Sequence, residues 1–280
     1  MPGVFLKFGE SADTEMVHHA RVTDRRELAP KIVLLGIDAP ELVAVTQPGQ
    51  FVMTVPPSGE SAATALGIYE AKGPRASLIF FEVGKRTREL AALREGDALD
   101  VFGPLGNGFT IGDQRDVTIV AGGTGIASVL LAAQEFLRRH ARVRLLYGAR
   151  TGRLLVERER FASEGCDVHV ATDDGSEGHR GYVTELLERQ SKPDVILACG
   201  PSPMLRAVSR VAGELGVPAQ LSLEETFACG VGGCWGCVVP LVGTSAQAPS
   251  FPPALQNGSD VVYARICREG PVFLAEELRW

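Results

Sequence analysis

Three cysteines between residues 229 and 237 constrain this chain more than any other feature in it. The stretch Glu224 to Cys237 reads EETFACGVGGCWGC, and Cys229, Cys234 and Cys237 follow the spacing C-x4-C-x2-C. That is the plant-type spacing for three thiolate ligands of a 2Fe–2S cluster. Such a cluster needs a fourth thiolate, and Cys267, in the run ARICREG, is the sole downstream cysteine. Wrapping backbone tightly round sulfide, with N–H groups aimed at sulfur, favours residues free to take positive φ. Gly230, Gly232, Gly233 and Gly236 stand in the gaps between the three cysteines. Two other readings use the same residues: a structural zinc site, which commonly draws on C-x2–4-C pairs, and reduced thiols packed as small hydrophobic groups. Three cysteines on one glycine-rich loop with a single remote partner favour the cluster.

The remainder of the 280 residues suffices for two domains beside this small segment. At 45% hydrophobic and 22% charged residues, the composition is that of a soluble globular protein. A net charge of −6 gives no electrostatic attraction to nucleic acid or to an anionic membrane surface. No apolar run reaches the roughly 20 residues that span a bilayer. The N-terminal MPGVFLKFGESAD has neither a basic n-region nor a sustained apolar h-region, so no secretory signal is expected. Six unevenly placed cysteines, four of them with a better use than disulfides, point to a reducing cytoplasm.

From about Val17 to Phe109 the apolar segments are short: KIVLLGI, GQFVMTV, LGIYEA, SLIFFEV and ALDVFG. Gly, Pro and Asp separate these β-branched and aromatic runs, which predicts an all-β unit, a small barrel. The dense turn Gly103-Pro104-Leu105-Gly106-Asn107-Gly108 ends it. A different pattern follows. Asp116 to Ala121 reads as a buried strand running into Gly122-Gly123-Thr124-Gly125, then a helix with apolar positions 126, 129, 130, 133 and 137. Strand, glycine turn and helix set backbone N–H groups and a positive dipole end against a pyrophosphate. The full G-x-G-x-x-G fingerprint is missing, and such turns also occur without a ligand.

Strands and helices then alternate as in an α/β domain: strands at 142–147, 168–172 and 195–198, with helices at 154–163 and 183–190. A second turn, Cys199-Gly200-Pro201, opens a helix to about Leu215. Ligands of open α/β sheets bind at carboxyl ends of strands, where both turns lie. Cys199 also suits a buried small residue at a strand end. His18 and His19, adjacent on a strand, should face opposite sides. No Ser/His/Asp set or carboxylate pair stands out, which fits chemistry carried by cofactors. The expected architecture is a β-barrel plus α/β: an antiparallel barrel over 14–112, a nucleotide-binding parallel sheet over 113–222 and a small iron–sulfur segment over 223–280.

This order of parts resembles the ferredoxin–NADP reductase superfamily with a C-terminal cluster, and within it the electron-transfer subunits of B-type dihydroorotate dehydrogenases. The likeness rests on Gly49 to Met53, Gly103 to Phe109, Ala121 to Ala127, Leu146 to Arg150, Thr172 to Ser176, Cys199 to Met204, the cysteine loop, and Cys267 to Phe273. It covers nearly the whole chain from about residue 14. The resemblance implies a cytoplasmic subunit that passes electrons from NAD(P)H through FAD and a 2Fe–2S cluster to a partner catalytic flavoprotein subunit in a hetero-oligomer. It places the nucleotide on Gly122, Gly123, Thr124 and Gly125, with Cys199, Gly200 and Pro201 near the nicotinamide. Family habit is NADH, although Arg150 and Arg153 follow a strand end where a 2′-phosphate fits.

The flavin segments depart from the family. Where it has Arg-Pro-x-Ser, this chain has Thr64-Ala65-Leu66-Gly67 before Ile68, so a cation and a hydroxyl are both missing. The second segment is Phe81-Glu82-Val83, preceded by Phe80 among the flavin residues, with an acid where a base is common, and the third is Arg86-Thr87. A lost charge-assisted contact to a diphosphate costs roughly 1.5–3 kcal/mol, so FAD should bind more loosely, with Arg86 or Arg88 supplying the missing charge. Glu82 to Leu90 also resembles the small flavoprotein subunits of bifurcating ferredoxin–NADP oxidoreductases and some hydrogenases. The same relay serving such a partner, and a flavin-less iron–sulfur relay or assembly module, are the alternative readings.

Overall fold

The β-branched and aromatic runs of the first third become strands β1 (Val17–Ala29), β2 (Ile32–Asp38), β3 (Phe51–Val55), β4 (Thr64–Lys72), β5 (Arg75–Phe81) and β6 (Ala98–Leu105). In the computed structural model of the protein, residues 16–56, 62–242 and 261–280 are described; the reading of the extreme N-terminus lies outside them. The six strands close into an antiparallel barrel in the order β1-β2-β5-β4-β3-β6, which leaves no edge unpaired. Alternation on β1 sorts the two histidines as a strand requires. His18 is buried with Nε2 2.9 Å from the Gly103 carbonyl oxygen, and the exposed His19 lies 2.7 Å from the Asp100 carboxylate. Two short helices, α1 (Pro40–Val45) and α2 (Lys85–Ala91), interrupt the all-β pattern. Neither is long enough for helical periodicity to register in a sequence window.

The alternating region becomes β7 (Asp116–Gly122), α3 (Leu130–Arg138), β8 (Arg142–Ala149), α4 (Arg158–Glu164), β9 (Asp167–Thr172), β10 (His179–Arg180), α5 (Val183–Glu188), β11 (Val195–Cys199), α6 (Ser202–Leu215) and β12 (Ala219–Ser222). The expected helix after the first glycine turn is preceded by a 3-10 turn over Gly123–Ser128, with α3 following it. The expected helix over 154–163 begins only at Arg158. Glu157 sits in the left-handed region at φ 59° and stops helical winding before that point. The Tyr69 hydroxyl on β4 donates to the Glu157 carboxylate at 2.8 Å, and Arg160 reaches Glu70 at 2.5 Å. Barrel and sheet are thus tied together across their junction.

The last quarter does not hang off the sheet as a separate piece. After the cysteine loop, β13 (Val238–Val242) and β14 (Val261–Arg265) form an antiparallel ribbon. The chain then returns as β15 (Val272–Leu274), antiparallel beside β12, giving a seven-stranded sheet in the order β10-β9-β8-β7-β11-β12-β15. Asn107, from the turn that ends the barrel, fixes this return. Its Nδ2 donates to Glu269 O at 2.8 Å and Val272 O at 2.9 Å, and its Oδ1 accepts from the Val272 N–H at 3.0 Å. The order of the sheet reverses between β7 and β11, and ligand crevices form at such reversals, outside the carboxyl ends of the strands.

Candidate functional site

Two cavities meet where the barrel packs on that reversal. The first, about 580 Å³, lies between β4, β5, the start of α2, the Gly123–Ser128 turn and the run Ser222–Phe227. The second, about 890 Å³, lies over the carboxyl ends of β7, β8 and β11. Phe81, Val83, Thr124 and Glu224 line both, so the two cavities share a wall. Each volume falls in the range of small-molecule and cofactor sites.

The first cavity is walled on its apolar side by Phe51, Leu66, Ile79, Phe80, Phe81 and Phe227, and polar side chains, among them Lys85, Arg86, Ser128, Ser222, Glu224 and Glu225, line the rest. Of the residues that family resemblance assigned to the flavin, Thr64, Ala65, Leu66, Gly67, Phe80, Phe81, Arg86 and Thr87 line it. Ile68 and Glu82 do not. Ile68 is buried in the barrel, and the Glu82 N–H bonds across to the Lys31 carbonyl oxygen at 2.7 Å, continuing the β2–β5 pairing. Arg86 stands at the cavity and donates from Nη1 to the Ala63 carbonyl oxygen at 3.0 Å, whereas Arg88 is exposed and outside the lining. A cation therefore faces the space from α2 in place of the arginine missing at Thr64. Thr87 works within its own loop: its Oγ1 accepts from the Val83 and Gly84 N–H groups at 2.9 and 3.1 Å. Aromatic walls from Phe51, Phe80, Phe81 and Phe227, with the cations Lys85 and Arg86 on the same lining, are groups that would suit the ring and the phosphates of a flavin.

The second cavity takes Gly122, Gly123, Thr124 and Pro201 from the expected nucleotide residues. Gly125, Cys199 and Gly200 sit behind it and shape it instead. A Cβ on Gly122 would lie 2.7 Å from Met204 Sδ and 2.9 Å from Pro201 Cδ, so the two strand ends interlock only through glycine. Gly123 differs: it has φ +55° and open space around it, leaving its backbone free to approach a ligand. Arg150, Asp173, Tyr182 and Thr184 complete the rim, while Arg153 lies outside it.

Glu224, in the shared wall, opens the cysteine stretch and carries no motif of its own. The Cys199 thiol donates to its Oε1 at 3.6 Å. Glu224 is exposed to the cavity, but desolvation by the atoms packed round its carboxyl pushes it above the ordinary glutamate range, against the lowering effect of that thiol. Burial, then the neighbouring Glu224 charge, likewise holds the Cys199 thiol well above the usual cysteine value. Ser128, Ser222 and Phe227 also line the first cavity and carry no motif; only the packing of three separate segments brings them there.

The cysteine loop leaves that cavity directly, since Phe227 in its wall is followed closely by Cys229. The Phe227 ring packs on Phe51 of the barrel with centroids 5.0 Å apart. Among the described residues, no group of three or more His, Cys, Asp or Glu side chains converges as a cage for one metal ion. The thiols form two hydrogen-bonded pairs, Cys229 with Cys234 and Cys237 with Cys267. Backbone N–H groups point at all four sulfurs: Cys234 to Cys229, Gly236 to Cys234, Cys267 to Cys237 and Gly232 to Cys267, at 3.2–3.5 Å. Burial raises Cys229, but N–H groups from Val231, Cys234 and Gly233 outweigh it and bring the thiol down to about 7. The hydrogen bond from Cys267 lowers Cys237 to about 6 and raises Cys267, one proton serving two sulfurs. Two thiolates for each of two irons is the donor set of a 2Fe–2S cluster, and the loop fits it.

Arg265 holds the loop in shape. It forms a two-pronged ion pair with Glu269 at 2.5 and 3.0 Å, donates to Gly232 O at 2.9 Å and lies 4.3 Å from the Trp235 ring centroid. Trp235 itself takes φ 57°.

A closed antiparallel barrel, a parallel nucleotide sheet and a cavity shared between them define a flavoprotein reductase of the ferredoxin–NADP reductase class. Residues 119–210 match the family described as the oxidoreductase NAD-binding domain. A ferredoxin NADP+ reductase of Neisseria gonorrhoeae shares the fold, with a TM-score of 0.62 at 17% identity over 72% of this chain and 92% of that one. The NADH-dependent reduced ferredoxin-NADP oxidoreductase structure aligns with a TM-score of 0.80 at 28% identity, covering 98% of this chain and 92% of that chain. The dihydroorotate dehydrogenase B (NAD+) electron transfer subunit of Geobacillus kaustophilus is 36% identical over 266 residues, 92% of this chain and 96% of that protein. The Listeria monocytogenes subunit of the same name is 32% identical over 266 residues, 92% of this chain and 97% of its own length. The chain belongs to the family of dihydroorotate dehydrogenase B electron transfer subunits.

Proposed function

We propose that this chain is the electron-transfer subunit of a B-type dihydroorotate dehydrogenase. It passes electrons between NAD(P)H, FAD, a 2Fe–2S cluster and a catalytic flavoprotein subunit, in the cytoplasm. The observation that carries this reading is the continuous path from the strand-end cavity, through the wall shared at Phe81, Val83, Thr124 and Glu224, to Phe227 and the cysteine loop. When bound, nicotinamide supplies a hydride, a flavin accepts two electrons and releases them singly, and the cluster carries one at a time.

The chain's own residues do the positioning. Gly123 lets backbone approach the nucleotide, with Gly122, Thr124 and Pro201 around it. Arg86 meets a diphosphate, while Phe80, Phe81 and Phe227 enclose the ring and exclude water. Cys229, Cys234, Cys237 and Cys267 hold the cluster, with backbone N–H groups neutralising sulfur charge. Cys234 is exposed and Cys229 partly so, whereas Cys237 and Cys267 are buried. The surface-facing edge of the loop is therefore the side a partner subunit reaches. No helix is long and apolar enough to cross a membrane among the described residues.

The test is reconstitution with a dihydroorotate dehydrogenase catalytic subunit. Dihydroorotate should reduce NAD+ only when both chains are present, and the purified chain should show flavin and cluster absorbance. Reduction of ferredoxin but not coupling to dihydroorotate would transfer the relay to the ferredoxin–NADP oxidoreductase type. A cluster spectrum without flavin would leave an iron–sulfur relay module.

A further inference from the structure

The barrel strand β4 passes close to the Gly123–Ser128 turn at one point. A Cβ placed on Gly67 would lie 2.6 Å from Ser128 Oγ and 3.7 Å from Ser128 Cβ. The space that a side chain at 67 would occupy is therefore already filled by a hydroxyl, and that hydroxyl comes from the other domain. Both residues line the first cavity. The family segment that β4 resembles carries serine at the Gly67 position, so the hydroxyl missing from one wall stands on the facing wall. Serine at both positions would force the Ser128 hydroxyl to rotate out of the place it now takes.

Ser128 also reaches the shared wall. Its side chain stands beside the Cys199 thiol, as do Ser222 and Glu224, the thiol donating to Glu224, and both of these line the same cavity. A hydroxyl is one donor and two acceptors, enough to serve a thiol on one side and a ring heteroatom on the other. Resting on the reading that this cavity holds a flavin, we infer that Ser128 is a positioning residue for the flavin ring, carrying from the nucleotide domain the hydroxyl that the barrel lacks at Gly67. One consequence follows from its place in the fold. The hydroxyl moves with the sheet rather than with the barrel, so ring orientation depends on how the two domains are docked.

The experiment exchanges the two residues in the full chain together with its catalytic partner. Ser128→Ala removes the hydroxyl; Gly67→Ser in the Ser128→Ala background returns it from β4 into the space just vacated. The expected result for Ser128→Ala is a shift of the visible flavin band and about tenfold slower reduction of the bound flavin by NADH, with KM for NADH unchanged. The double variant should recover most of the rate and the wild-type band. Gly67→Ser alone should displace the Ser128 hydroxyl by rotation about its Cα–Cβ bond, since Ser128 Cβ stands at an ordinary 3.7 Å, and so shift the flavin band; an unshifted band counts against the proposal. A Ser128→Ala protein with wild-type rate and spectrum would falsify the proposal while leaving the flavin reading intact. A double variant no better than Ser128→Ala overturns it as well. Wild-type protein that holds no flavin with its partner present overturns the reading and the proposal together.

Discussion

The cysteine loop and the flavin cavity adjoin at Phe227, yet they are built on opposite principles. The loop draws three of its four cysteines from Cys229–Cys237, and the N–H groups that meet sulfur come from backbone of the loop and of Cys267. The cavity draws its wall from β4, β5, α2, the Gly123–Ser128 turn and the Ser222–Phe227 run, which are brought together only by barrel–sheet docking. The family flavin segment has lost its arginine and its serine at Thr64 and Gly67, while Arg86 and Ser128 face the same space from other elements. A site made of backbone and thiolates tolerates little change. A site made of side chains converging on one volume can move a function from one element to another, because only the position of the group counts.

Breaking the loop should have the largest effect. Cys267→Ser should cut retained iron and sulfide by more than roughly tenfold, since even partners behind a metal ligand are worth about 10–100-fold. Cys166→Ser should keep both, and full iron content in Cys267→Ser would remove that residue from the ligand set. Next comes Arg265→Ala. It leaves Glu269 as an unpaired carboxylate in a pair whose side chains are only 12% exposed, a loss of roughly 3 kcal/mol. The cluster spectrum should bleach at lower denaturant concentration than in wild type, and an unchanged midpoint would show that the loop holds itself.

The cavity should respond by degrees. Arg86→Ala should weaken FAD by one to two decades, as loss of about 1.5–3 kcal/mol implies, and Thr64→Arg should tighten it. Equilibrium dialysis measures both, and equal affinity in Arg86→Ala would return the phosphate to another group. Gly123→Val carries a conformational cost of roughly 1–2 kcal/mol at positive φ and fills open space. The KM for the nucleotide should rise several-fold; unaltered kinetics would place the nucleotide elsewhere.

The smallest effect concerns pH. Glu224 is exposed on the cavity wall, yet the protein atoms packed round its carboxyl hold it above its ordinary value. The folded chain keeps that proton where the unfolded chain has released it, so stability from the neutral acid is complete below the ordinary value and is lost as pH rises through the raised one. Glu224→Gln removes this titration. Its melting temperature should exceed that of wild type near pH 8 and converge with it near pH 4. A gap that stays constant across that range would mean that Glu224 does not titrate with folding.

Several parts of the architecture were legible in the residues alone. The barrel runs, the α/β alternation, the two glycine turns and the cysteine spacing each encode local geometry, and local geometry is what a short stretch of chain specifies. The opposite facing of His18 and His19 follows from strand alternation in the same way. Sequence windows missed α1, α2 and the left-handed break at Glu157, since a helix of one or two turns is set by its neighbours rather than by its own periodicity. The return of β15 to the edge of β12 was invisible for a different reason: it is fixed by Asn107, more than 160 residues away in the chain.

What the sequence by itself determined is the set of groups that must act through backbone, the glycine turns and the thiolate loop, because their chemistry is written in spacing. What only the tertiary structure decided is which side chains converge. Arg86 facing the cavity, Ser128 filling the place of a residue at 67, and Glu224 standing in the wall of both cavities are consequences of docking one domain on another. No spacing rule can encode them, because the physical requirement is a shared volume and the chain is free to meet it from any segment that folding brings within reach.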